Sequence, residues 1–149
     1  MNTTDIFVPA ATAGDYAHAT TSGDYAHART VGHKSSATTT GYKSSATTTG
    51  RHAPAFAAGR HAHATTTSDY AHALTAGLRS HASVSGENAI AAAFGANSYA
   101  RAASGGFIVL AQYDGTAIVA VKTAQVGKDG IKPDTWYTLS PTGEFVEAE

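Results

Sequence analysis

The sequence predicts an all-β fold: a two-sided β-solenoid of nine-residue repeats, with about 18 residues per coil and a small C-terminal β cap. Three observations predict it. Gly or Ser recurs every nine residues from Gly14 to Ser104, side chains alternate in size within each repeat, and large apolar residues are concentrated in the last 43 residues. Alternation with a period of two is typical of strands, and Gly at a fixed interval is typical of turns.

Eleven nonapeptides run from Ile6 to Ser104, with the recurring Gly at position nine. Position five is Ala in all eleven, position three is small in all but the first, and position seven is Thr, Ala or Val. We expect these three positions to face inward and positions two, four, six and eight to face outward.

Small inward side chains require the opposed sheets to lie close together, and a three-sided coil would leave a central void. Neighbouring repeats also match in pairs, as in DYAHA at 15–19 and 24–28. Two strands per coil are therefore favoured. A long Ala-rich helix is the alternative, but the regular Gly and the Thr triplets argue against it.

The chain divides into a lead at 1–5, a solenoid at 6–104 and a C-terminal unit at 105–149. Ile6–Val8 is expected to plug the first coil, and the C-terminal unit is expected to cover the last strands, whose backbone groups would otherwise be unpaired. The strands predicted in this unit are Phe107–Tyr113, Ala117–Val126, Thr135–Leu139 and Glu144–Val146.

Composition excludes several classes of protein. Leu, Ile, Val and Phe number only 22, but the net charge of −1 argues against a charge-swollen disordered chain. The absence of cysteine excludes disulfides and cysteine-based metal sites. Residues 6–104 carry a formal charge of +3 and residues 105–149 carry −3, so the charge balance argues against a nucleic-acid partner. The longest apolar run, Phe107–Ala111, is too short to span a membrane, so no membrane partner is expected.

Outward Tyr and His residues form the predicted binding face. Tyr is large and amphipathic, which suits contact surfaces, and His can change its charge near pH 6. The residues of this predicted face are Tyr16, His18, Tyr25, His27, His61, His63, Tyr70, His72 and His81.

On an 18-residue coil, His61, His63 and His81 lie close enough together to bind zinc or nickel. The alternative is a ladder of exposed imidazoles, and we expect no physiological metal site and no cofactor. Outward Thr pairs such as Thr47 and Thr49 allow an ice-binding surface, although Arg29 and Arg101 interrupt the columns. Repeated side chains on a flat rod do not form a pocket with a positioned base, so no catalytic residue is predicted and the protein is not expected to be an enzyme.

Two sequence features together resemble those of a known family of proteins. The repeat TTTGYKSSATTTG is followed by FIVLAQYDG and then by IKPDTWYTLSPTGEFVE. Nearly the whole chain resembles proteins encoded by bacteriophages and prophages, in which SAATNTG-like repeats precede an IKPDTWYTL-type ending. The resemblance implies a phage origin and supplies no site residues, because no activity is established for that family.

These observations favour a non-enzymatic binding protein, located in the host cytoplasm or on the phage particle. The leading hypothesis is that it binds a host macromolecule, with a protein as partner, and inhibits a host defence system. The alternative is a structural component of a phage particle or fibre, and an ice- or metal-binding solenoid is a third hypothesis. A homo-oligomer is left open.

Overall fold

The computed structural model describes residues 9–148, which form an all-β solenoid, so the predicted fold class is confirmed. Within this range there is no helix, and hence none long and apolar enough to cross a membrane. The predicted plug, Ile6–Val8, lies outside the described residues. The strands are β1 Pro9–Ala13, β2 His18–Ser22, β3 His27–Val31, β4 Ser36–Thr40, β5 Ser45–Thr48, β6 Ala55–Ala57, β7 His63–Thr66, β8 His72–Thr75, β9 His81–Val84, β10 Ile90–Ala93, β11 Tyr99–Ala102, β12 Phe107–Asp114, β13 Ala117–Gln125, β14 Tyr137–Leu139 and β15 Phe145–Glu147.

Successive strands alternate between two sheets. Sheet A has the order β1-β3-β5-β7-β9-β11-β14-β15, and sheet B has the order β13-β12-β10-β8-β6-β4-β2. From β1 to β11 the pairing within each sheet is parallel, and each residue lies opposite the residue 18 positions later, as Ala46 does with Ala64 and Ala64 with Ala82. Each coil therefore contains two strands, as the paired repeats predict.

The interior between the sheets consists of small side chains in register. The position-five residues Ala46, Ala64 and Ala82 are fully buried, and buried Thr side chains such as Thr48 and Thr66 occupy position seven. Buried hydroxyl groups bond across the corner between consecutive repeats: Ser44 Oγ donates to Thr39 Oγ1 at 3.0 Å, and Thr48 Oγ1 donates to the carbonyl of Ala53 at 2.7 Å. The inward assignment of positions three, five and seven is confirmed.

Glycine at position nine lets consecutive coils approach closely. A Cβ atom placed on Gly59 would overlap the backbone carbonyl of Gly41, which lies one coil below it. Because the corners stack directly on one another, every repeat must have the same length, which explains why the nine-residue period is never interrupted.

The C-terminal unit continues both sheets and packs on the end of its own rod. Strand β12 pairs in parallel with β10 and then antiparallel with β13, while β14 pairs antiparallel with β11 and with β15. Larger apolar side chains fill the interior at this end, and they include Ile108, Leu110, Val126, Ile131 and Tyr137. Four strands lie where the sequence predicts them, with ends that differ by one or two residues.

Candidate functional site

Position two of each repeat lies at a corner of the coil and not on a strand. Tyr16 has a φ of 61°, and the equivalent residues from Tyr25 to Asn97 have φ between 51° and 60°. The amide of Ala17 donates to the carbonyl of Gly14 at 3.3 Å, so residues 14–17 form a turn with its third residue in the left-handed region, as in a type II turn. The solenoid strands therefore begin at position four or five, and position-two side chains project from the corners.

The nine predicted binding residues do not form one face. Two corners separate the sheets: we name the turns that precede the sheet A strands the A corner and those that precede the sheet B strands the B corner. Tyr16 and Tyr70 lie on the B corner, Tyr25 and His61 on the A corner, His18 and His72 on the outer face of sheet B, and His27, His63 and His81 on the outer face of sheet A.

Each corner is a ridge of cations and aromatic rings. On the A corner, the ammonium group of Lys43 lies 5.9 Å from the ring centroid of Tyr25 and 5.4 Å from that of Tyr42. On the B corner, the rings of His52 and Tyr70 stack with centroids 5.2 Å apart. Both ridges are held by backbone bonds between coils, such as the one from the amide of Lys43 to the carbonyl of Arg60 at 2.9 Å.

The outer face of sheet A carries a continuous aromatic column. The rings of His63 and His81 stack with centroids 4.7 Å apart and planes 12° apart, and His81 stacks on Tyr99 with the same spacing at 16°. Trp136, just before β14, stands perpendicular to His81 with centroids 5.2 Å apart. The guanidinium carbon of Arg101 lies 4.6 Å from the indole centroid, and its Nε donates to Ser83 Oγ at 2.8 Å.

The residues predicted from the sequence to form the binding face do not include Tyr99, Trp136, Arg101 or Arg79. Tyr99 occupies position four, as His63 and His81 do, so the repeat alignment already places it at the end of their column. Trp136 reaches the column because Tyr137 pairs with Ala100, and this pairing between the tail and the solenoid has no signal in the repeat.

The histidines of this column are held in the neutral form. The pKa of His81 is lowered to about 4, first by burial and then by the neighbouring His63 and His61, whose positive forms would repel a charged His81. The pKa of His63 is also lowered, first by burial and then by His61. Near pH 7 the column therefore acts as an uncharged aromatic surface. Nδ1 of His81 is buried without a hydrogen-bond partner.

The structure does not arrange His61, His63 and His81 as metal ligands. Parallel stacking of His63 and His81 directs their ring nitrogens side by side, whereas zinc requires lone pairs that converge tetrahedrally. Residues 9–148 contain no group of three His, Asp or Glu side chains placed to hold a metal ion.

Two Ser–His pairs lie on the open faces. Nδ1 of His18 is 2.5 Å from Ser36 Oγ on sheet B, and His27 makes the same contact with Ser45 on sheet A. Among the described residues, no carboxylate forms a hydrogen bond with the His18–Ser36 pair, so this pair lacks the third group that orients the base of a hydrolytic triad.

The outer face of sheet B is apolar over its C-terminal half. Phe56 is 48% exposed, Ile90 36% and Phe107 38%, and Leu74 lies between Phe56 and Ala92 in the register. Val109 follows beside Ala92, and Val121, 54% exposed, lies on β13 opposite Ala111. The outward positions of β4, β6, β8 and β10 carry no charged side chain.

The Thr columns on sheet A are in register but short. Thr47 lies opposite Thr65, and Thr65 lies opposite Ser83. Arg29 precedes Thr47 in the column and Arg101 follows Ser83. Ice binding has only this short row of hydroxyl groups to support it.

No family model, no curated protein and no solved structure matches this chain.

Proposed function

We propose that this chain is a non-enzymatic binding protein of a bacteriophage or prophage, and that it binds a host protein through the apolar outer face of sheet B. One observation carries the proposal: the exposed Phe56, Ile90 and Phe107 and the half-buried Leu74 and Val109 lie on neighbouring strands of one outer face, with Ala92 between Leu74 and Val109. Large exposed apolar patches on folded proteins mark interaction sites, since leaving them in water costs free energy.

The rigidity of the solenoid supports this role. Each strand of the patch is hydrogen-bonded on both sides, so the patch is already in its binding conformation and little conformational entropy is lost on association. Charged corner residues such as Arg51 and Asp69 border the patch, which matches the polar rim and apolar centre of protein interfaces.

The phage origin rests on the resemblance of the repeat and of the IKPDTWYTL ending. For an accessory protein of a phage, the expected consequence of binding is inhibition of a host defence system. An enzyme is not proposed, because repeated side chains on open outer faces form no pocket that positions a catalytic base.

The test is affinity capture from a lysate of the host bacterium, followed by a binding measurement with the purified partner. The wild type and the control T47A/T65A, altered on sheet A, should retain the same single partner. F56S/L74S should weaken binding at least tenfold while its thermal unfolding remains unchanged, because both side chains are exposed or half-buried.

Two results would contradict the proposal. One is a capture profile that is identical for the wild type and F56S/L74S. The other is assembly of the purified chain into filaments, or its co-purification with phage particles, which would favour the structural role.

A further inference from the structure

We infer that a notch at the C-terminal end of sheet A binds a nucleotide, recognised as an aromatic base beside a phosphate. The notch is lined by His61, Arg79, His81, Tyr99 and Trp136 and has a volume of about 350 Å³. It opens on the sheet A side of the rod, so the inference is independent of the apolar patch on sheet B.

The aromatic walls of the notch are fixed before any ligand arrives. His81 is stacked between His63 and Tyr99, and the indole of Trp136 is held at 90° to His81. Arg101 lies over the indole and is itself bonded to Ser83. Both faces of His81 are covered, so a planar base would stack on the half-buried indole of Trp136, as bases stack on aromatic side chains in other nucleotide-binding proteins.

The opposite wall is cationic. Arg79 is exposed at the A corner, and the ion pair that the described residues do form, between Lys132 and Glu147, does not involve it. A guanidinium group can donate two parallel hydrogen bonds to a phosphate. Burial lowers the pKa of His61, and Arg60, Arg79 and Lys43 lower it further, so several positive charges act at this wall.

The combination of walls selects the ligand class. No carboxylate lines the notch, which favours an anion. His81, with its pKa of about 4, is uncharged near pH 7, so the positive charge of the notch comes from the corner wall. A peptide ligand with an acidic aliphatic side chain would bind Arg79 but would leave the aromatic walls exposed to solvent. The volume lies at the lower end of the range for small-molecule sites, which fits a single nucleotide unit.

The experiment uses Trp136, the single Trp of the chain, as the reporter. The full-length protein is titrated with AMP and UMP while the indole emission is followed, and with inorganic phosphate and adenosine as single-feature probes. We expect saturable quenching by the nucleotides and binding at least tenfold weaker by each probe. Arg79→Ala should weaken nucleotide binding at least tenfold, whereas the matched variant Arg51→Ala on the B corner should not change it.

Each other outcome decides against the inference or identifies the source of the nucleotide. Absence of saturable quenching, equal binding of phosphate or adenosine, stronger binding of a Glu-rich peptide, or unchanged affinity in Arg79→Ala would overturn it. If a tetranucleotide binds at least tenfold more tightly than AMP, the inference is supported and the ligand is a single nucleic-acid strand. If the tetranucleotide and AMP bind equally, the inference is supported and the ligand is the free nucleotide. F56S/L74S should bind AMP normally, so failure of the sheet B proposal can be told apart from failure of this one.

Discussion

Non-glycine residues in the left-handed region determine how side chains leave this solenoid. Lys34, Lys43 and His61 have φ between 51° and 57°, although such a conformation is uncommon for residues with a Cβ atom. The surrounding coils hold it in place, because the amide of each such residue donates to the carbonyl of a corner residue in the next coil, as Lys34 does to Arg51 at 2.9 Å. Each corner therefore presents a long side chain to solvent at some cost in backbone strain.

A pair of substitutions at position 34 measures this strain. Lys34→Val should lower the free energy of unfolding by about 1–3 kcal/mol, because a β-branched residue tolerates positive φ poorly. Lys34→Asn should stay within about 1 kcal/mol of the wild type, since Asn adopts this region readily and Asn88 and Asn97 already do so. Both variants lose the contact between Lys34 and the Tyr16 ring, so the difference between them isolates the backbone. Urea unfolding followed by circular dichroism gives both values, and equal stabilities would show that the corner is not strained.

The neutral state of His81 makes stability depend on pH. Its pKa is about 4 when folded and 6.5 when unfolded. Between these values the unfolded chain binds a proton that the folded chain does not, so stability falls as the pH is lowered from 6.5 towards 4 and is fully present above 6.5. His63, whose pKa is also lowered, acts in the same direction.

The expected loss from His81 between pH 7 and pH 4 is roughly 1–2 kcal/mol, less than the full shift implies because the ring is partly exposed and solvent screens its charge. Urea midpoints measured from pH 7.5 to 4.5 should fall more steeply in the wild type than in His81→Phe, which keeps a ring in the stack and removes the proton site. Parallel profiles for the two proteins would contradict this assignment.

The strands were predictable because one rule governs each of them. Inward Ala at position five is required wherever two sheets lie close together, so eleven repeats report the same constraint and the alternation is unambiguous. Position two was expected to face outward, but its place on a left-handed corner was not predictable, because its residues, such as Tyr16 and His52, are not the Gly that usually marks such a turn. Local pattern thus predicted the sheets but not the corners.

Enlarging one inward side chain tests how closely the strands pack. Ala64 on β7 is fully buried between Ala46 and Ala82, so Ala64→Leu should lower the free energy of unfolding by at least about 1–3 kcal/mol through overpacking. Its neighbour Thr65 points outward on the same strand, and Thr65→Leu should change stability by less than about 0.5 kcal/mol. Thermal unfolding of both variants measures the contrast. A stable Ala64→Leu protein would mean that the sheets can separate locally.

The whole molecule joins a repetitive rod to an irregular end. The notch forms where the two meet, because Arg79, His81 and Tyr99 belong to the rod and Trp136 belongs to the tail. Sequence reasoning identified the tail as a β cap from its apolar composition, but it could not predict that β14 pairs with β11 in the antiparallel direction. Pairing between segments that lack a shared period depends on three-dimensional contacts that no local pattern encodes.

In such a rod, we expect the stability of each coil to depend mainly on the coils next to it, because each coil contacts mainly its neighbours. Tyr137 closes the C-terminal end: it is buried, pairs with Ala100, and its hydroxyl oxygen accepts a hydrogen bond from the amide of Lys132 at 2.9 Å. Tyr137→Ala should remove about 3–5 kcal/mol from the packing of this end, as truncation of buried aromatic residues does elsewhere. Amide hydrogen exchange in β9 and β11 should then become at least tenfold faster, while β3 and β5 keep their protection.

Tyr70→Ala, at the exposed B corner in the middle of the rod, is the control and should leave β9 and β11 protected. If exchange in Tyr137→Ala accelerates equally in β3 and β11, the rod unfolds as a single unit and its coils are not independent.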